Sequence, residues 1–339
     1  MSVPYDAFLL ISFGGPDRAE DVIPFLENVL RGKNVPRERM LEVAEHYYHF
    51  GGASPINAQN RELLAAIKTE FAAAGIHLPV YWGNRNWDPL LTDTLRQMQA
   101  DGVQRALALF TAAFSSYSGC RQYQENVRQA REEGGPGAPV VEKLRGYFNH
   151  PGFIAAMIER TRDAFAKLPA AARGSAKLLF TAHSIPLSMA NTCQYVAQLQ
   201  DAAASIADGV GHPAWRLVYQ SRSGPPSQPW LEPDIGEALR ELAAAGDKNV
   251  IVVPVGFISD HMEVLFDLDT EALQQANALG LTLVRAGTVG VHPQFVQMIR
   301  ELVEERLSGT TARPTVGQLG PCPDVCAVDC CRYEPRRPV

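Results

Sequence analysis

The chain has 339 residues, of which 46% are hydrophobic and 20% are charged, and its net charge is −6. This composition is that of a globular protein long enough for two domains, and it excludes a disordered or fibrous chain. The basic residues are scattered rather than clustered, so we expect neither nucleic acid nor an anionic membrane surface as a partner.

The N-terminus has the features of a first strand rather than of a targeting segment. Its apolar stretch over 8–13 lacks the basic region and the small-residue cleavage site of a signal peptide. No run in the sequence reaches the roughly 18 apolar residues that a membrane span needs. We therefore expect a cytoplasmic, monomeric protein without integral membrane association.

The first half of the sequence alternates between predicted strands and helices. The strands are unbroken apolar runs, the kind that a parallel sheet buries on both faces. The long segment between the first two predicted strands is suited to forming the wall of a cleft. Strands are predicted over 8–13, 80–83, 106–110 and 140–144, and helices from 17 to about 30, over 37–49, from 55 to about 74, from 89 and after 123.

The second half repeats this alternation. We predict an α/β fold of two doubly wound, Rossmann-like domains, each with a four-stranded parallel sheet, which face one another across a cleft. The expected divisions are 1–147, 148–312 and a cysteine-rich tail over 313–339. Strands are predicted over 178–182, 216–220, 250–253 and 281–285, and helices over 151–167, 191–206, 235–245 and 293–307.

A row of carboxylates follows the strand predicted over 250–253. The capping signal at 259–260 predicts a helix on which Glu263, Asp267 and Glu271 share one face. Like charges at this spacing destabilise a helix by roughly 0.2 to 0.5 kcal/mol per pair, so the row indicates a bound cation. A solvated acidic face is the alternative. Location at the carboxyl end of a buried strand, where open α/β sheets bind ligands, favours a metal ion.

A histidine ends another predicted strand at the same edge of this sheet. A lone histidine there is more commonly structural, but His183 and Glu263 come from nearby crossovers of one sheet. An imidazole and a carboxylate together suit a divalent metal such as Fe(II). A neutral His183, with a pKa near about 6.5 unless its surroundings perturb it, would also suit proton transfer near neutral pH.

Five motifs together resemble the ferrochelatases, which insert ferrous iron into a porphyrin. The resemblance covers roughly 5–308 and is to the Gram-positive, particularly actinobacterial, members. It implies coproporphyrin III as the substrate and coproheme III as the product in haem biosynthesis, with protoporphyrin IX as the alternative substrate. The motifs are LLISFGGP at 9–16, GGASPINAQN at 51–60, TAHSIP at 181–186, VYQSRSGPPSQPWLEPD at 218–234 and PVGFISDHMEVLFDLDTE at 254–271.

The resemblance implies roles for four of these polar residues. His183 matches the family's active-site histidine, which binds iron or accepts pyrrole protons, and Glu263 matches its partner carboxylate. Asp267 and Glu271 match the acidic residues by which the metal is thought to enter. All four are therefore expected to be metal ligands.

Further residues are expected to contact the porphyrin. Ser54 and Tyr123 match positions that touch the macrocycle in bacterial enzymes, and Arg31 is placed to pair with a propionate. Trp230 is a candidate for the apolar slot, although core packing is its commoner role.

Two positions depart from the Gram-positive pattern. Phe13 stands where several relatives carry a tyrosine, so it can pack on the macrocycle but cannot bind a metal. His46 stands where those relatives tend to carry an arginine.

The tail is rich in cysteine and has little apolar content to dock it. In a reducing compartment, a cluster of thiols indicates a metal or iron–sulfur site rather than disulfides. The resemblance implies a 2Fe–2S cluster, because several ferrochelatases carry one at the C-terminus, and a structural zinc is the alternative. The tail cysteines are Cys322, Cys326, Cys330 and Cys331.

The source of the fourth ligand is open. In the best-known cases one ligand comes from near the start of the second domain, but residues 153–157 contain no cysteine here. Either the tail supplies all four ligands, or Cys120 or Cys193 replaces one of them.

Two rival functions remain. A porphyrin- or haem-binding carrier would have lost catalysis, and retention of both His183 and Glu263 argues against it. Cobalt and sirohydrochlorin chelatases of related fold are usually shorter or use a different set of histidines.

Overall fold

A computed structural model describes residues 5–33, 35–224 and 227–333, and it contains two parallel sheets of four strands each. The first half of the chain forms the sheet with strand order β2-β1-β3-β4, and the second half forms the sheet β6-β5-β7-β8. The predicted α/β fold is thereby confirmed. The strands are β1 Ala7–Ser12, β2 Val80–Asn84, β3 Arg105–Phe110, β4 Val140–Lys143, β5 Lys177–His183, β6 Trp215–Gln220, β7 Asn249–Val253 and β8 Thr282–Arg285.

Helices connect the strands and cover both sheets. A 3₁₀ turn at Ala19–Asp21 and two π-helical segments, Tyr117–Arg121 and Leu265–Ala272, interrupt the regular pattern. Within the described residues, no helix has the length and apolar character to cross a membrane. The α-helices are α1 Val22–Leu30, α2 Arg37–His49, α3 Ile56–Ala73, α4 Leu91–Ala100, α5 Gln122–Gly134, α6 Pro151–Ala166, α7 Ala170–Arg173, α8 Leu187–Ala190, α9 Tyr195–Val210, α10 Ile235–Ala244, α11 Met262–Val264, α12 Leu273–Ala278 and α13 Pro293–Ser308.

The central strands are buried on both faces, as their unbroken apolar runs predict. All six residues of β1 are buried, and the last four residues of β7 are fully inaccessible to solvent. In β5 and β6, His183 pairs with Gln220 at the carboxyl ends of the two strands. Because parallel strands end at one edge of a sheet, the polar residues that follow them are brought together there.

The two halves share one apolar core. Buried side chains of the first sheet, such as Phe8, and of the second, such as Phe180, belong to one continuous cluster that passes through Phe153 of α6. The last helix, α13, packs on α6 and also on α3 of the first half. The end of the chain therefore stabilises its beginning.

The tail is docked on the body of the protein, contrary to our expectation from its composition. The Asn149 side chain donates to the Leu319 carbonyl at 2.8 Å, and the Gln318 backbone N–H donates to Asp201 at 2.6 Å. Val316 and Leu319 also pack against the main apolar core. Apolar and polar contacts therefore dock the tail together, which hydropathy alone does not show.

A buried ion pair joins the first half, α13 and the tail. Arg145, 1% exposed, donates to both carboxylate oxygens of Glu305 at 2.8 and 2.9 Å, and also to the Pro314 carbonyl at 3.2 Å. Loss of one partner leaves the other as an uncompensated buried charge, which costs about 3 to 5 kcal/mol.

We expect Glu305→Gln to lower the free energy of unfolding by about 3 kcal/mol or more, measured by urea denaturation at pH 7. The control is Glu42→Gln, which breaks the exposed pair with Arg39 and should change stability by less than about 1 kcal/mol. Equal small changes in both variants would contradict a structural role for the buried pair.

Candidate active site

The carboxyl edge of the second sheet brings His183 and Glu263 together. His183 is the last residue of β5, and Glu263 lies in the short helix α11 that follows β7. Their Nε2 and Oε1 atoms are 3.5 Å apart, and the side chains are 31% and 46% exposed. Both side chains are therefore partly exposed at the carboxyl edge of the sheet.

The backbone around His183 orients its ring. Nδ1 hydrogen-bonds to the carbonyl of Ser184, which makes Nδ1 the donor and directs Nε2 toward Glu263. The Tyr195 hydroxyl donates to the His183 carbonyl at 3.0 Å and fixes the end of the strand. A carbonyl partner on one imidazole nitrogen is the usual way in which a protein prepares the other nitrogen to bind a metal or a proton.

The two side chains form an ion pair at neutral pH. Burial alone would lower the pKa of His183, but the nearby Glu263 carboxylate outweighs it and raises that pKa to about 9. Burial likewise opposes ionisation of Glu263, yet His183 holds the pKa of Glu263 at about 2. Our expectation of a neutral His183 with an ordinary pKa is therefore wrong for the free protein, because it took no account of the 3.5 Å contact.

The helix that carries the carboxylates differs from the prediction. His261, rather than the 259–260 signal, caps it by accepting a hydrogen bond from the Glu263 backbone N–H at 3.2 Å. From Leu265 to Ala272 the backbone is a π-helix, in which hydrogen bonds span five residues instead of four. Such segments occur frequently at functional sites, and apolar spacing does not distinguish them from α-helix.

Asp267 and Glu271 follow Glu263 along this segment. Burial raises the pKa of Asp267 to about 7, although the Ser221 hydroxyl and the Gln220 amide both donate to it. Glu271 is exposed, and burial raises its pKa, as does the charge of Asp234. In the part of the chain that the structure describes, no three His, Cys, Asp or Glu side chains are grouped to hold one metal ion. The row is therefore a series of separate positions rather than one metal cage.

Arg285 at the end of β8 binds the chain on both sides of Glu263. Its guanidinium donates to Asp260 at 2.8 Å and to Asp269 at 2.8 and 2.5 Å. The Asp260 backbone N–H in turn donates to Gln59 in α3 at 2.9 Å. These contacts attach the segment that contains Glu263 both to the second sheet and to the first half of the chain.

The opposite wall, formed by the first half, combines aromatic rings with cations. The Arg85 guanidinium lies 4.5 Å from the ring centroid of Tyr123 and 5.6 Å from that of Phe13. Phe13 is 36% exposed, whereas Tyr123 is only 4% exposed and stacks on Phe110. Burial, together with the charge of Arg85, lowers the pKa of Lys33 beside this group. The structure thus brings Phe13 and Tyr123 together around Arg85, a cation that the sequence analysis missed. The position of Arg85 directly after β2 was the signal that could have identified it.

The other residues predicted to bind substrate are buried or bonded to neighbouring residues of the protein. Ser54 is buried and accepts a weak hydrogen bond from the Ile56 backbone N–H at 3.5 Å. Arg31 is exposed at the end of α1, where it donates to Asn28 at 2.5 Å. Trp230 is 8% exposed and pairs through its backbone with Pro186, and its indole N–H has no partner among the described residues.

Helix α2 closes the cleft against the π-helical segment. The His46 ring stacks on Phe266 with centroids 3.7 Å apart and planes 9° from parallel, and burial lowers the pKa of His46. Burial raises the pKa of the neighbouring Tyr47, and the negative charge of Glu263 raises it further. His46 therefore makes an aromatic contact between the two halves instead of offering the positive charge of an arginine.

A second feature is a cavity lined by cysteines. All six cysteines of the chain, four from the tail together with Cys120 and Cys193, line one cavity of about 430 Å³. The six thiols are free rather than disulfide-bonded.

The sequence of this chain is similar to those of known proteins along nearly its whole length. The family model described as Ferrochelatase matches residues 5–307. Ferrochelatase of Rhodopirellula baltica is 61% identical over 336 residues, a match that covers 99% of this chain and 95% of the relative. Coproporphyrin III ferrochelatase of Streptomyces coelicolor is 51% identical over 358 residues and covers 99% and 95%, respectively.

A solved structure shares the fold. "SirB from Bacillus subtilis with Fe3+" aligns with a TM-score of 0.54 at 11% identity, over 90% of this chain and 97% of that protein. At this identity the similarity is one of architecture alone.

We expect Glu263→Gln to lower the pKa of His183 from about 9, because the burial that opposes the imidazolium remains after the carboxylate charge is removed. NMR titration of the His183 ring measures this change, and Asp163→Asn, an exposed change in α6, should leave it unaltered. A His183 pKa that stays near 9 in Glu263→Gln would contradict the ion pair.

Proposed function

Because the chain belongs to the ferrochelatase family and is a metal chelatase that inserts Fe(II) into a porphyrin, we propose that His183 and Glu263 carry the reaction. The observation that supports this most directly is the 3.5 Å contact between the two side chains, both partly exposed at the sheet edge. We further propose that Asp267 and Glu271 deliver the metal, so that all four residues bind Fe(II) in turn.

The proposed substrate is coproporphyrin III, which yields coproheme III in haem biosynthesis. Relatives 46% to 52% identical to this chain bear the name coproporphyrin III ferrochelatase. A porphyrin with four propionates also suits a wall that presents Arg85 and Lys33, with Arg31 exposed nearby in the chain. Phe13, Tyr123, Ser54 and Trp230 complete the proposed substrate-binding set, the first two by packing against the macrocycle.

The protonation states suggest the order of events. In the free enzyme the Nε2 proton of His183 occupies the position facing Glu263, so Fe(II) must displace it before the imidazole can bind metal. Uptake of iron at this pair should therefore strengthen as the pH rises toward 9. Each metal ion inserted releases two pyrrole protons. Neutral His183 accepts a proton at Nε2, and Asp267, with a pKa of about 7, is suited to pass protons outward.

Anaerobic turnover with Fe(II) tests this assignment. We expect a clear kinetic preference for coproporphyrin III over protoporphyrin IX in detergent-free buffer. His183→Ala should lower kcat by roughly 100-fold or more, because it removes both the base and the metal ligand. His77→Ala, an exposed change, is the matched control. Near-normal turnover by His183→Ala would contradict the site, and a preference for protoporphyrin IX would contradict the substrate.

The carboxylate row has its own test. We expect Asp267→Asn combined with Glu271→Gln to raise the apparent KM for Fe(II) much more than the KM for porphyrin, because only the metal passes these side chains. Steady-state kinetics with each substrate varied in turn makes the measurement. Asp163→Asn combined with Glu132→Gln, exposed changes in α6 and α5, controls for the lost charge. Equal effects on both KM values would indicate a solvated acidic face.

The cysteine-lined cavity is proposed to hold a 2Fe–2S cluster. Four cysteine thiolates bind such clusters, and six thiols line this cavity, four of them being Cys322, Cys326, Cys330 and Cys331 of the tail. A structural zinc, which uses the same thiolate donors, is the alternative occupant. When bound, the cluster would supply a covalent link within the tail. The six thiols are free, which is consistent with the proposed location in the reducing cytoplasm.

We also propose that the protein is a monomer, and gel filtration tests this.

A further inference from the structure

A buried glutamine lies beside the proposed iron-binding residues. Gln220 is the last residue of β6, pairs in register with His183 and is 1% exposed. Its backbone carbonyl accepts a hydrogen bond from the Ser184 backbone N–H at 2.8 Å, which continues the pairing of β5 with β6 past His183. The backbone of Gln220 therefore holds the strand end from which His183 projects.

The side-chain amide of Gln220 contacts two members of the carboxylate row. Its Nε2 donates to the backbone carbonyl of Glu263 at 2.7 Å and to Oδ2 of Asp267 at 3.3 Å. Glu263 belongs to α11 and Asp267 to the π-helical segment, so one NH₂ group joins the two elements. Gln220 thus helps to set the position of the Asp267 carboxylate relative to Glu263.

The surrounding acceptors fix the orientation of this amide. A glutamine side chain has an NH₂ group that donates and a carbonyl oxygen that accepts, and rotation of the amide by half a turn exchanges them. After that rotation Oε1 would lie against the Glu263 carbonyl and the Asp267 carboxylate, and both would repel it. The amide is therefore held with Nε2 toward these two residues.

A second donor acts on the same oxygen of Asp267. The Ser221 hydroxyl also donates to Oδ2. Ser221 has a φ of 61°, in the left-handed region that residues with a Cβ rarely adopt. Both donors bind Oδ2 and leave Oδ1 for a metal ion. Hydrogen bonds of this kind orient the ligands of metal sites.

Packing alone does not explain a glutamine at this position. Oε1 of Gln220 is buried and has no hydrogen-bond partner among the residues that the structure describes. A buried acceptor without a partner destabilises a protein, and an apolar side chain of the same length would not carry this cost. The two donated hydrogen bonds at the carboxylate row are what the amide provides in return.

We propose that Gln220 is a positioning residue for iron entry, which holds the Asp267 carboxylate where Fe(II) can pass from it to Glu263 and His183. Gln220 acts through Asp267 and does not itself bind the metal. This inference rests on the proposed function, because it requires that the carboxylate row delivers iron.

The first test is Gln220→Met, which keeps the length of the side chain and removes both donated hydrogen bonds. We expect the apparent KM for Fe(II) to rise about tenfold, because loss of a group that orients a metal ligand typically weakens metal binding by about 10- to 100-fold. The KM for porphyrin should stay within about twofold of the wild-type value and kcat within about threefold. Anaerobic steady-state kinetics with each substrate varied in turn makes the measurement.

Gln294→Met is the matched control. Gln294 lies in α13, its Nε2 donates to Glu159 at 3.1 Å, and its Oε1 is likewise buried without a partner among the described residues. Loss of this amide should leave both KM values unchanged. A rise in the KM for porphyrin equal to that for Fe(II) in Gln220→Met would indicate a merely structural residue and overturn the proposal.

A double-mutant cycle tests whether Gln220 acts through Asp267. Asp267→Asn alone should raise the KM for Fe(II), and addition of Gln220→Met should raise it by less than about twofold more, because residues that act through one contact are not additive. Independent effects that multiply would overturn the positioning role.

Gln220→Asn covers the case in which Gln220→Met does not fold, and far-UV circular dichroism checks the fold of each variant. It keeps an amide but shortens the side chain by one methylene, so the amide no longer reaches both acceptors. The KM for Fe(II) should rise as in Gln220→Met. A wild-type KM in folded Gln220→Asn would contradict the proposal.

The outcomes separate this inference from the proposed function. If Asp267→Asn combined with Glu271→Gln changes both KM values equally, the row does not deliver iron and the role of Gln220 falls with it. If that double variant raises the KM for Fe(II) selectively but Gln220→Met does not, the row stands and the positioning role is wrong.

Discussion

The site depends on the attraction between the imidazolium of His183 and the carboxylate of Glu263. Each group opposes the cost of partial burial for the other, so both remain charged at neutral pH. The pair is thus occupied by a proton that a metal ion must replace, which couples iron binding to proton release. The arrangement requires β5 and β7 to end at one edge of a parallel sheet and Arg285 to hold the segment beyond β7 in place.

The two halves contribute different chemistry to the cleft. The second half supplies acidic and imidazole groups suited to a metal, and the first supplies aromatic and cationic groups suited to a flat, carboxylate-bearing ligand. They meet where His46 stacks on Phe266. This contact joins α2 to the π-helical segment, so His46, one of the two residues that depart from the Gram-positive pattern, contributes to the contact between the two halves.

The sheets and the paired residues were predictable because unbroken apolar runs and strand-end positions are local signals. His183 and Glu263 follow from them. Other features depend on contacts between distant residues and leave no local pattern: the raised pKa of His183, the docking of the tail on Asn149 and Asp201, and the gathering of the cysteines around one cavity. The π-helix at Leu265–Ala272 was missed for a related reason, because its apolar spacing is close to that of an α-helix.

The packing of α13 on α3 has a consequence for synthesis on the ribosome. The first sheet is complete once residue 143 has emerged, yet α3 stays uncovered and Arg145 has no partner until Glu305 has been made. A nascent chain that ends before α13 thus exposes apolar surface and an unpaired charge. The first half cannot reach its final stability during translation, and chaperones that protect exposed apolar surface would have most of the elongation time in which to bind it.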